Sequence, residues 1–372
     1  MVIEDNLFWF PYLLIIIVSF IGFIVPFLLN ENILFGSRFP NEIINHPEAV
    51  NLKRNYKHLY LSIFLPFLIV LGFFIYYSPG NTYINGGILS EFILIFLIYA
   101  IYNKKAKEIK RELLSSEYIN KQNEILTIDT NFRKGKYVIS IWWFLPALLI
   151  IFLNILILLL YYNKIPDQIT LHFNLQGNAT QLTNKSYWHV FLIPVASFTT
   201  FCLFIVEYFI IKTSKQELDS NKPTTSKLKD RYFRLIWSDY SIILCTVLVI
   251  WTFFVSLHLD KLLVISGKTF EAFNIAIPIL ILSTTLILVI KTGQSGSRLK
   301  LKMNEPATGI NNIDDDTYWK LGMIYYNPLD PAIFVPKRIG IGWTVNLGRP
   351  AGVVILILII FIPVIISLIS KK

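Results

Sequence analysis

The chain has 372 residues, 54% hydrophobic and only 16% charged, with a mean hydropathy of +0.57. A soluble chain of this size carries about 25% charge, so this composition excludes an ordinary soluble globular protein. The net charge is +10, and its distribution identifies its cause below.

Uncharged apolar runs recur that are long enough to cross a roughly 30 Å hydrocarbon layer at about 1.5 Å per residue. Backbone polar groups have no water to bond to in lipid, so such runs must be helices. The sequence predicts an all-α polytopic membrane protein with about eight spans, at 7–29, 59–77, 86–102, 139–162, 188–211, 239–258, 272–290 and 350–369. A small, partly β module precedes the last span. This divides the chain into an N-terminal three-helix region (1–138), a helix pair (139–211), a second pair (212–291), a module (292–349) and the last helix (350–372). The first run lacks a basic leader and a cleavage site, and reads as a true span. Cys202 and Cys245 lie in apolar runs and form no disulfide or metal spacing.

Lysine and arginine set the orientation. Loops 30–58, 103–138, 212–238 and 291–349 hold 28 of the 34 basic residues, and the alternate loops and termini hold six. The basic side is therefore expected to be cytoplasmic, with both termini extracytoplasmic. The same asymmetry accounts for the positive net charge without a nucleic-acid partner. The expected partner is the lipid bilayer, and no cofactor is implied.

Taken in chain order, "ILFGSRFPNEIINHPEAVNLKRNY" (33–56) is the first inner loop. Glu91 follows in the third span and Glu207 in the fifth. Ionisable groups in spans are functional candidates by default; each of these reads as a proton path or as a side chain snorkelling to water. Asn154, mid-span, is expected to hydrogen-bond between helices. The stretch 103–126 reads as a helical extension of mixed charge, and "KLKDRYFRLIW" (227–237) as a basic-aromatic approach to a span.

The longest outer loop is "IPDQITLHFNLQGNATQLTNKSYW" (165–188). Pro166 fixes the chain's exit from the fourth span. Gln168 to Phe173 alternates as a short strand, and "LQGN" reads as a glycine turn. His172, with His189 and Asp167 as neighbours, is a candidate proton switch or ligand, although the spacing offers no metal set. A hydrogen-bonded loop anchor is the competing role, and the loop as a whole reads either as structure or as a recognition surface.

In the C-terminal module, Asp314 to Asp316 reads as a solvated helix cap before "TYWKLG", with cation binding as the alternative. Pro328 and Pro331 frame a turn at Asp330. In "RIGIGWTVNLG", apolar residues alternate from Ile339 to Leu347, which predicts a strand in which Gly340 and Gly342 permit close backbone approach. Trp319 and Trp343 are its large anchors.

Three of these stretches carry a resemblance. Pro166, Asp167, Ile169, His172, Phe173, Asn174, Gly177 and Lys185 match the outer-loop pattern of the SdpI-like immunity and accessory membrane proteins of Gram-positive bacteria. The chain departs from that pattern at Thr170, Ala179, Thr180 and Leu182. The first inner loop is similar through Phe35, Gly36, Arg38, Pro40 and Tyr56, and 314–350 resembles a module often joined to the family. The resemblance implies a non-enzymatic membrane protein in an accessory, immunity or sensing role toward a peptide, toxin or partner protein. A small secondary transporter using Glu91 or Glu207 is the alternative. No HExxH, GxSxG or paired mid-span aspartates suggest an intramembrane enzyme.

Overall fold

A computed structural model describes residues 9–27, 32–77, 81–115, 124–125, 127, 129, 131–173 and 179–369. Within them the helices are α1 (Trp9–Ile24), α2 (Pro47–Tyr77), α3 (Asn81–Ser115), α4 (Leu145–Leu160), α5 (Tyr187–Val190), α6 (Leu192–Thr213), α7 (Pro223–Leu259), α8 (Gly267–Thr292) and α9 (Pro350–Ile369). Six of these, namely α2, α3, α4 with its lead-in turn, α6, α7 and α8, are long and apolar enough to cross a membrane. The chain is a helical, multi-pass membrane protein. α1 is a shorter apolar helix, and α9 runs 20 residues without a charge.

The helices exceed the apolar runs that mark them. α2 begins twelve residues before its predicted span, with Pro47 at its first position, where a missing N–H costs nothing. α3 continues through the charged "NKKAKEIKREL" to Ser115, as the mixed-charge reading expected. α7 begins at Pro223 and is 37 residues long. Pro66 and Pro278 sit inside α2 and α8.

The fold divides into two compact units. One comprises Met1–Asp129, Ser214–Asp230 and Val289–Lys372; the other comprises Thr130–Thr213 and Arg231–Leu288. The first unit packs α1, α2 and α3 around an aromatic core. Phe35 lies 5.0 Å from Tyr56 and 5.1 Å from Tyr102 between ring centres, and Tyr60 stacks on Phe64 at 4.1 Å. Gly22 brings α1 against α2. Tyr56 donates to its carbonyl at 2.9 Å, and a Cβ there would meet the Tyr60 hydroxyl at 2.5 Å, the close approach that small residues provide in membranes.

Short hairpins complete this unit. β1 (Ile33–Leu34) pairs antiparallel with β2 (Ser37–Arg38). β3 (Glu124–Ile125) runs parallel to β6 (Asn311–Asn312). β7 (Trp319–Lys320) pairs with β8 (Ile324–Tyr325), and β9 (Phe334–Pro336) with β10 (Trp343–Val345), both antiparallel. The predicted strand from Ile339 to Leu347 is therefore shortened to Trp343–Val345. Gly340 and Gly342 have φ of 75° and 100° and lie in the loop that closes the hairpin, where Lys337 N–H donates to the Gly342 carbonyl at 3.0 Å. A Cβ at either glycine would meet open space. The expected close approach is absent at both; the left-handed backbone is what requires glycine. Gly340→Val is accordingly expected to cost about 1–2 kcal/mol through strain, and Gly340→Asn markedly less. Thermal melts of the detergent-purified variants distinguish this from a packing role, in which both would fail alike.

In the second unit, α4, α6 and α7 pack through Phe144, Ile151, Phe201, Tyr208, Ile242, Cys245 and Val249. Arg234 is fully buried and donates to the Ile211 carbonyl at 2.6 Å, a cation satisfying the last turn of α6. α8 joins through Tyr240, whose hydroxyl lies 2.6 Å from that of Thr285. Trp142 and Trp143 are exposed at one end of α4 and Tyr161 at the other. About 28 Å separates such positions at 1.5 Å per residue, the spacing of aromatic belts at two membrane interfaces. Here β4 (Gln168–Phe173) and β5 (Ala179–Asn184) form an antiparallel hairpin.

Candidate functional site

The loop 165–188 forms a hairpin at its foot. β4 falls on the stretch whose alternation predicted it; β5 was not foreseen, because "ATQLTN" has no apolar face. Ile165 and Ile169 are buried with Leu158, Val190 and Leu257, so the foot rests on an apolar base. Lys185 ties it shut. Its ammonium donates to the Ile165 carbonyl at 2.9 Å, lies 3.6 Å from the Asp167 carboxylate and sits 5.3 Å over the Tyr162 ring, while its N–H donates to the Asp167 carbonyl at 2.7 Å. The carboxylate itself is fully exposed, so the ion pair adds little and the carbonyl bonds do the anchoring. Pro166 sits at the turn out of α4, between Ile165 and Asp167. Tyr162 stacks on Tyr187 at 4.3 Å.

His172 and Phe173 lie in β4, with His172 opposite Gln181; their side chains, and Asn174 and Gly177 altogether, lie outside the described residues. His189 does not face Asp167. Its ring meets Ser186 Oγ at 2.9 Å and its N–H donates to that oxygen, which caps α5. Among the described residues, no group of three or more His, Cys, Asp or Glu is placed to hold a metal.

The acidic run Asp314–Asp316 is corrected most. Only Asp314 fits a solvated cap, exposed and accepting from the Asp316 N–H at 3.1 Å; Asp315 makes no side-chain cap bond to the short turn that follows, and Asp316 is 9% exposed. The cations it binds belong to the protein. Arg338, 2% exposed, pairs with both Asp315 and Asp316 and donates to the Gly36 carbonyl at 2.7 Å. Arg38 pairs with Asp315 at 3.2 Å and with Glu217, and its N–H donates to Asp316 at 2.9 Å. Lys110 of α3 meets Asp314 at 2.5 Å and Asp316 at 2.8 Å. Burial alone would raise these carboxyls. The Arg338 guanidinium, helped by Arg38 at Asp315 and Lys110 at Asp316, outweighs it and holds both below the usual carboxylate range.

Trp319 closes the knot. It is buried, donates from Nε1 to Asp315 at 3.3 Å and lies 5.1 Å from the Arg338 guanidinium. Trp343 is half-buried in β10. The adjacent turns Phe35–Gly36 and Leu321–Gly322 all have positive φ. They pack so tightly that a Cβ on Gly36 would stand 2.6 Å from the Gly322 Cα. The stretch 33–38 and the C-terminal module, far apart in sequence, thus meet in one structure.

A second polar knot fixes the module. Asn346 is fully buried. Its amide donates to the carbonyls of Asn327, Asp330 and Ala332 at 2.9, 3.2 and 3.1 Å, and its oxygen accepts from the N–H of Asn327 and Gly348 at 3.0 and 2.9 Å. The turn predicted at Asp330 is present: that carboxylate accepts from Lys215 at 2.7 Å, Tyr325 at 2.9 Å and the Ala332 N–H at 3.0 Å. Gln294 grips the backbone of Gly342 through both amide atoms, at 2.8 and 2.7 Å. Nothing in the local sequence singled out Asn346 or Gln294, because each acts on backbone distant in sequence.

Inside the spans, Glu91 does not snorkel. It is 1% exposed and accepts from the Ser19 hydroxyl of α1, while Tyr60 donates to the Ser19 carbonyl at 2.8 Å. Glu207 is half-buried and accepts from Ser241 at 2.9 Å. Asn154 is buried, but its side-chain oxygen has no partner among the described residues, so the expected interhelical bond through that atom is not made.

Comparison with known proteins bears on two of these regions. Residues 149–198, which include the β4–β5 hairpin, match a domain of unknown function (DUF1648). Residues 328–353, which include the Asn346 knot, match a family of unknown function (DUF5808). No curated protein and no solved structure matches the chain.

Proposed function

We propose that this chain is an SdpI-like, non-enzymatic protein of the bacterial cell membrane, with eight spans, both termini outside and the C-terminal module in the cytoplasm. In this reading it serves an immunity, accessory or sensing role by presenting the outer hairpin to a peptide, toxin or partner membrane protein. The observation that supports it is the build of the hairpin: a foot locked by Lys185 on an apolar base, with Gln181 and Leu182 of β5 exposed above it. A simple connector between two spans needs neither the lock nor the strands. His172, in β4 opposite Gln181, is assigned to recognition together with the motif residue Asn174; Lys185 is assigned to structure.

The assignments separate experimentally. Lys185→Ala is expected to lower stability by about 1–2 kcal/mol, through the Ile165 carbonyl it leaves unpaired; the backbone bond to the Asp167 carbonyl remains. His172→Ala with Asn174→Ala is expected to leave the melting temperature unchanged and abolish the protection of cells against secreted antimicrobial peptides. If deletion of the whole chain leaves peptide susceptibility unchanged, the immunity role fails.

Transport is the second reading, favoured by one observation: Glu91 is a buried carboxylate within a span, held by a hydroxyl from another helix. Loss of proton-coupled uptake in Glu91→Gln, with protection retained, would favour transport over the hairpin.

A further inference from the structure

A cavity that lies wholly in the first unit has a volume of about 1110 Å³, at the upper end of the range typical of small-molecule sites. It is lined by six basic residues, Arg38, Lys222, Lys229, Lys291, Arg298 and Lys300. Three acidic residues also line it, and each is engaged. Glu217 pairs with Arg38. Asp219 accepts from the Asn221 N–H at 3.0 Å. Glu305 accepts from the N–H groups of Thr224 and Thr225 at 2.9 and 2.7 Å. Burial works against ionisation of Glu305, but the bonds from Thr225 and Thr224 pull its carboxyl down to about 2.

The cations are differently placed. Arg38 is consumed by Asp315 and Glu217. Lys229 donates only to the Ser297 carbonyl, at 3.0 Å, and Arg298 to the carbonyls of Phe27 and Ile290. Among the described residues, no carboxylate pairs with Lys222, Lys229, Lys291, Arg298 or Lys300. Six basic against three acidic residues leave the lining with a net charge of +3, because hydrogen bonds from neutral N–H groups leave Asp219 and Glu305 negative. That surplus positive field concentrates an anion there. The wall also carries Ile33, Ile290, Leu301 and Met303, and Ile290 and Lys291 belong to the last turns of α8, one of the membrane-length helices. The cavity therefore combines apolar groups, some at a span's end, with a surplus of cations.

We infer that this cavity binds a phosphate-bearing anion, through Lys222, Lys229, Lys291, Arg298 and Lys300. Two sources supply that chemistry: the headgroup of an anionic phospholipid, whose glycerol end the apolar lining residues would take, and soluble phosphate. Basic pockets between spans on the cytoplasmic side suit the former.

The test uses the full chain purified in neutral detergent, with thermal stability titrated against phosphatidylglycerol, phosphatidylcholine and inorganic phosphate. A saturable upward shift with phosphatidylglycerol but not with phosphatidylcholine identifies a lipid headgroup; a saturable shift with inorganic phosphate identifies the soluble ion. In either case Lys222→Gln/Lys291→Gln/Lys300→Gln should weaken the apparent affinity by about fivefold per lysine, roughly 100-fold in all. Lys222, Lys291 and Lys300 are exposed, so the variant's own melting temperature should stay near wild type. Lys261→Gln/Lys268→Gln, outside the cavity, should bind as wild type does. The inference is overturned if neither anion gives a saturable shift, if the triple variant binds as tightly as wild type, or if the control pair weakens binding equally.

Discussion

Replacing Arg338 by methionine is expected to destabilise the protein by about 3–5 kcal/mol, the cost of breaking a buried ion network from one side. Methionine fills much the same volume, so packing changes little; what remains is Asp315 and Asp316 facing each other with their principal cation gone. Arg338→Lys should recover only part of the loss. One ammonium cannot reach both carboxylates and the Gly36 carbonyl as the planar guanidinium does. Adding Asp316→Asn to Arg338→Met should restore stability, because it removes one of the two stranded charges. The pH dependence follows from the same geometry. The folded carboxyls titrate below their unfolded range, so their contribution is present above about pH 4 and is lost as pH falls through the lower folded values. In Arg338→Met that acid-side loss should flatten. Equilibrium melts between pH 3 and 7 measure both effects. A change under 1 kcal/mol at pH 7 would mean that the network carries no net stability.

Asn346→Leu is the second large effect, expected at about 4 kcal/mol or more. Leucine has nearly the shape of asparagine but none of its bonds, and it strands three carbonyls and two N–H groups that are otherwise satisfied by one side chain. Each buried group left unpaired costs about 1–3 kcal/mol, discounted here because Asp330 keeps a bond from Arg349 at 2.8 Å. The turn at 327–330 and the start of α9 should loosen together, seen as faster proteolysis after Lys337 and Arg338. The exposed Asn304→Leu serves as control and should stay within about 0.5 kcal/mol. Wild-type melting in Asn346→Leu would show that the module does not depend on this knot.

How far the sequence revealed this structure depends on the range of the interactions. Apolar runs mark the spans because lipid leaves the backbone one solution. Their polar continuations are less legible: "KKAKEIKREL" shows its helical character through mixed charge, whereas 47–58 looks like loop until Pro47 is placed at a helix's first position. Alternation found β4 but overextended β10, since period two says nothing of the positive φ that Gly340 and Gly342 adopt. The acidic run was misread for a related reason. Its partners Arg38, Lys110 and Arg338 lie in three separate segments, and local sequence near Asp314 shows only solvated-looking charge. Gly36 and Arg38 meet the 314–350 stretch only in the fold, and no local pattern in either segment announces that contact.

The central proposal is the membrane topology: the loop 165–188 outside and the C-terminal module in the cytoplasm. Impermeant maleimide labelling of single cysteines in intact cells tests it directly, on a Cys202→Ala/Cys245→Ala background. The probes avoid buried positions such as Ser220 and Asn311 and use exposed ones. Gln181→Cys on the hairpin and Ser266→Cys between α7 and α8 should label at once. Asn51→Cys in α2 and Ala307→Cys before the module should label only after permeabilisation. Immediate labelling of Asn51→Cys and Ala307→Cys, with Gln181→Cys and Ser266→Cys silent until the membrane is breached, would contradict the account.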